Sequence, residues 1–81
     1  MAAPWTPHEF EQLLRLHSLS DANVAAQLRS RTAGAVDAER AAIHKYHTVG
    51  NEGTFRLAHW KVDFIEARRG QWICHACRAP F

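Results

Sequence analysis

The chain has 81 residues, 47% of them apolar and 22% charged, which makes one domain close to the lower limit at which an apolar core alone stabilises a fold; chains this short often add a metal or a partner. No run of eighteen apolar residues occurs, which excludes a helical membrane span, and the opening MAAPWTPHEF has neither the basic start nor the apolar stretch of a secretory leader, so a cytoplasmic location is expected. The net charge of +2 lies wholly in residues 49–81, which carry five basic and three acidic side chains against five and five in residues 1–48; that suits weak polyanion binding and falls short of a dedicated basic patch.

In chain order, PWTPHEFEQLLRLH opens the first helix. Thr6 is its N-cap, Pro7 its first residue and Glu9 the partner in a capping box. Trp5 and Phe10 form a hydrophobic staple, and Phe10, Leu13, Leu14 and His17 follow helical spacing, which predicts an end near Leu19. SDANVAAQLRS predicts a second, short helix capped by Ser20 or Asp21, with Val24, Ala25 and Leu28 inward. Thr32 caps a third, AGAVDAERAAIHKYH, with Val36, Arg40, Ile43 and His47 along one stripe, and the glycines of TVGNEG stop it. Residues 54–69 we read as a fourth helix, through Phe55, Ala58, Val62 and Ile65. Trp60, Val62 and Phe64 alternate with Lys61 and Asp63, which leaves a strand open as the other reading.

The patterns WT..E...L..L and D..VA..L..RT..AV...R..I, over roughly residues 4–46, resemble the Myb/SANT-like trihelical family, a helix-turn-helix relative. The resemblance implies three helices packed along a seam of Trp5, Leu13, Leu16, Val24, Leu28, Val36 and Ile43. The helix after Thr32 would be the recognition helix. It also implies double-stranded DNA as partner, transcription regulation as role, and a nucleoid-associated or nuclear place in the cell. Ala33, Asp37, Ala38, Ala41 and Lys45 would face bases or backbone. Arg31, Thr32 and Lys45 would contact phosphate, Asp37 and Arg40 would lie near base edges, and Arg68, Arg69 and Arg78 would add phosphate contacts. The chain departs from the family at Arg40, where an aromatic residue is frequent. Asp37 is poorly suited to phosphate, although a carboxylate can accept from a cytosine amino group. Asp37 and Arg40 as a plain solvated face is the competing reading. Some relatives bind proteins instead, so the alternative is a protein-interaction module, such as a phage-encoded adaptor or inhibitor of a host protein. Trp60, Trp72 and Phe81 would be its anchors.

The tail QWICHACRAPF holds the two cysteines, Cys74 and Cys77, as a CxxC pair. In a reducing compartment such a pair is expected as thiolates. Zinc takes about four N or S ligands, grouped in closely spaced pairs. One other such pair exists, His44 and His47, with twenty-six residues between His47 and Cys74. HxxH followed by CxxC is similar to the HHCC zinc modules of retroviral-type integrases, and the tail itself resembles a zinc knuckle with Arg78 where Gly is common. The expected ligands of a structural zinc are therefore His44, His47, Cys74 and Cys77, with His59 as rival for either histidine. Arg78 after the second cysteine excludes haem attachment, and only four residues follow Cys77, too few for a thioredoxin-like helix. Four protein ligands would leave no place for water, and no nucleophile or phosphate-binding motif appears, so no enzymatic activity is expected. The whole reads as a single domain, mainly α: a small trihelical helix-turn-helix bundle (residues 4–47) with a zinc-stabilised extension (48–81), a helix or strand plus the CxxC knuckle.

Overall fold

A computed structural model of the chain describes residues 4–81. Helix α1 (Pro7–Arg15) starts where its capping box lies. The extended backbone of Thr6 lets Oγ1 accept from the Glu9 amide, while the Glu9 carboxylate accepts from the Thr6 amide. The helix stops at Leu16, three residues before the expected Leu19, and there is a physical reason. The Leu16 carbonyl accepts from Arg40 Nη2 at 2.9 Å and from the Leu19 amide at 3.0 Å, so it is not spent on a continuing helical turn.

Helix α2 (Asp21–Leu28) is capped by Ser20, whose hydroxyl accepts from the Asn23 amide. Helix α3 (Ala33–Val49) is capped by Thr32 and ends at Gly50, with φ +69°. α2 and α3 pack on one another across the short connection 29–32, and α1 packs on α2. Helix α4 (His59–Ala67) is shorter than the predicted span: residues 54–58 lead into it without helical structure, and Ala58 offers no side-chain cap. Here packing resolves the ambiguity between helix and strand. Trp60 and Phe64 would share a face in either structure, but Ile65, directly next to Phe64, is 3% exposed, and only a helix turns both toward the core.

The core is continuous across the chain. Phe10, Leu13, Leu14, Val24, Val36 and Ile43 supply the trihelical part, and Leu57, Ile65, Cys74 and Phe81 join it from the C-terminal part. Of the expected seam, Trp5, Leu16 and Leu28 lie at its half-buried margin, while Phe10 is fully enclosed. Phe10 receives Trp60 and Phe64 edge-on at centroid distances of 5.4 and 5.6 Å, a favoured aromatic geometry that pins α4 onto α1. No strand forms among the described residues. The tail instead folds back on itself: Ile73 and Pro80 make an isolated antiparallel bridge, the Cys74 amide donates to Ala79 O at 2.8 Å, and the Gly70 amide donates to Phe81 O.

Candidate functional site

Two elements far apart in sequence meet at the cysteine turn. α3 presents His44 near its C-terminal end, and the backbone bonds of the folded tail hold Cys74 beside it. His44 Nδ1 lies 3.2 Å from Cys74 Sγ, and the donor atoms of His44, Cys74 and Cys77 all lie within 4.8 Å of one another. Two sulfurs about 2.3 Å from a zinc ion at the tetrahedral angle stand ~3.8 Å apart, so the trio needs little adjustment to hold one. Cys74 is 2% exposed whereas Cys77 is exposed. Burial pushes the Cys74 thiol up, an effect opposed by the backbone amide of Cys77. A divalent cation would reverse that balance by taking the proton's place on sulfur. The donor set, two sulfurs and an imidazole, is the soft type that selects zinc over magnesium or calcium.

The expected fourth ligand stands apart. His47 is not in the trio: its ring centroid is 6.4 Å from that of His44 and 4.9 Å from that of Phe81. Three helical residues advance about 300°, which leaves the two positions only about 60° apart on α3, so it is the packing of the His47 ring against Phe81 that accompanies its separation from the trio. His47 lines a groove of about 200 Å³ with Tyr46, Glu66 and Arg69. Burial in the first place, then the charges of His44 and Arg69, hold its pKa below the ordinary histidine value. The rival His59 is excluded by position, since its side chain is 91% exposed and pairs with Asp63 at 3.2 Å. His75, between the cysteines, points the other way, with Nδ1 2.7 Å from His17 O and Nε2 3.4 Å from Arg40 Nη1.

The residues expected at DNA separate into two groups. Arg31 and Arg40 are turned inward, which corrects their expected place at phosphate and base edges. Arg31 pairs with Glu9 through Nε at 2.9 Å and Nη2 at 2.7 Å, donates to Pro4 O, and lies over the Trp5 ring. Arg40 pairs with Asp21 at 2.7 Å and donates to Leu16 O. It follows the stripe of Val36 and Ile43, and that position carries it inside. Thr32, Asp37 and Lys45 are exposed, in line with Ala33, Ala38 and Ala41 on the outer side of α3. Arg68 lies over Phe64 at 3.7 Å, Arg69 is paired with Glu66 at 2.6 Å, and Arg78 is exposed.

Sequence reasoning missed two groups. Arg29 is exposed at the α2–α3 corner with φ 63°, beside the N-terminus of α3. Glu39 is buried and paired with Lys61 at 2.5 Å, tying α3 to α4; no local spacing signals such a pair. The anchors of the interaction-module reading are also turned inward: Phe81 is in the core, and Trp60 and Trp72 are half-buried against it. No protein-family model matches the chain, and neither does any curated protein or solved structure.

Proposed function

We propose that the chain is a small DNA-binding domain, a regulator of transcription, in which α3 enters the major groove and a zinc ion on His44, Cys74 and Cys77 fastens the tail to the helices. The observation that carries it is the outer side of α3, where Ala33, Asp37, Ala38, Ala41 and Lys45 form one exposed row behind a short turn from α2. Small side chains let a helix approach the groove floor, alanines suit thymine methyls, and a carboxylate accepts from the cytosine amino group. The N-terminus of α3 at Thr32 favours a phosphate, and Arg29 and Lys45 flank the row as exposed cations. Arg31 and Arg40 contribute only by holding the helices in place.

The test is retention on duplex DNA in a salt series from ~50 mM upward. Lys45→Ala should weaken binding across sequences and lower the salt slope by about one unit, while Asp37→Ala should change sequence preference more than affinity. A wild type not retained on any duplex at low salt removes the reading.

A further inference from the structure

The metal reading has a consequence for coordination. We propose that the centre on His44, Cys74 and Cys77 keeps one coordination position open to solvent, to be taken by water or by one small monodentate donor such as an anion or a thiol. This rests on the reading of the trio as a zinc site.

The argument begins with an accounting of donors. Among the described residues no fourth His, Cys, Asp or Glu donor lies within 4.8 Å of all three. Two of the nearby imidazoles, those of His47 and His75, are engaged elsewhere. His47 packs against Phe81 and lines a separate groove. His75 is held by His17 O. His17, whose buried Nδ1 has no hydrogen-bond partner among the described residues, lines a cavity of about 20 Å³ with Cys74 but stands outside the cluster of three donors. Moving His47 into the site would take its ring off Phe81, whose backbone is tied by the Trp72 carbonyl and the Gly70 amide.

Exposure then gives the open corner a direction. Cys74 closes the inner side at 2% exposure, and His44 lies half-buried on α3, while Cys77 is exposed. An ion held between a buried and an exposed thiolate has its remaining corner on the Cys77 side, toward water. Charge agrees with that placement. Two thiolates and a neutral imidazole neutralise a divalent ion, so water completes the shell without adding charge. An anion there would give the centre one negative charge, which solvent can carry and the core could not. Closed four-ligand sites serve structure alone, while three protein ligands leave a position where an outside molecule binds.

Cobalt(II) loaded in place of zinc, with the thiols kept reduced by a phosphine, reports coordination through its visible d–d bands. One cobalt per chain is expected, with bands that shift saturably on titration with azide. His47→Ala should give the same bands and the same azide response. X-ray absorption on the zinc-loaded wild type gives an answer that needs no variant: two sulfurs, one imidazole and one oxygen. Bands indifferent to azide, or two imidazoles by absorption, would show that a further side chain closes the site, and altered bands in His47→Ala would identify it as His47; the open position then falls while the metal reading stands. A wild type that takes up neither cobalt nor zinc overturns both.

Discussion

The carboxylate of Glu9 joins two parts of the trihelical unit: it accepts from the Thr6 amide at 3.0 Å to start α1, and it pairs with Arg31 Nη2 at 2.7 Å just before α3 begins. The Arg31 and Glu9 side chains are 5% and 13% exposed. Removing one partner of such a pair leaves an uncompensated charge and typically costs about 3–5 kcal/mol. Arg31→Ala should therefore lower stability by about 3 kcal/mol in urea melts. An Arg31→Ala that melts with the wild type would mean the pair is open in solution.

The same pair sets a response to acid. The Arg31 guanidinium above all, with help from Ser30 and Thr6 and against the effect of burial, holds the Glu9 carboxyl well below the usual range. A depressed folded pKa gives stability that is present above the unfolded value of ~4.3 and is lost as pH falls through the folded one. The advantage of wild type over Glu9→Gln should thus be constant from neutral pH to about 5 and shrink below ~4.3. Urea midpoints measured across that range check it; an advantage that shrinks between pH 7 and 6 would point to a histidine instead.

Thr6 makes the smaller contribution at this corner. Its hydroxyl accepts from the Glu9 amide at 3.2 Å in an exposed setting, and Thr6→Ala should cost about 1 kcal/mol, the usual value of a cap. The order of the two losses, Arg31→Ala above Thr6→Ala, is the informative result in parallel melts.

Arg29 ends α2 with φ 63° and ψ −34°, a conformation that L side chains reach at a cost of roughly 1–3 kcal/mol and glycine adopts freely. Arg29→Gly should therefore raise stability, by about 1 kcal/mol once glycine's greater unfolded freedom is subtracted. Thermal melts decide the sign. On the proposed DNA-binding role, the same variant should also be retained less on duplex DNA, because the exposed cation before α3 is gone.

Metal removal should act first on the tail. Cys74→Ser should abolish zinc uptake, His44→Ala should weaken it strongly, and His59→Ala should leave it unchanged. Metal binding to residues this far apart in sequence is folding free energy, on the order of several kcal/mol. Hydrogen exchange after chelation should show amides of residues 72–81 losing protection before those of α1. A metal-free protein with an equally protected tail would contradict the zinc reading.

Local chemistry was legible along the chain because its partners lie within one helical turn. The capping box of Thr6 and Glu9, the caps at Ser20 and Thr32 and the stop at Gly50 each depend on residues a few positions apart, and each is found where the residues require it. The alternation around Trp60 was less informative, because Trp60 and Phe64 share a face in both helix and strand; the burial of Ile65 separates the two.

Pairings across about twenty residues or more follow a different logic, since no periodicity encodes them. An arginine before a helix reads as a phosphate contact until Glu9, twenty-two residues back, is found beside it. Arg40 illustrates the same gap, because its stripe pointed inward while its charge suggested an outward role, and Asp21 and Leu16 O settle it by satisfying the guanidinium inside. At the candidate metal centre, donor type and the short spacing within each pair selected Cys74 with Cys77 and brought in His44. They also selected His47, whose ring packs against Phe81 instead of joining the others. Ligand identity is chemistry and can be read locally; which ligands converge depends on what packs against each ring.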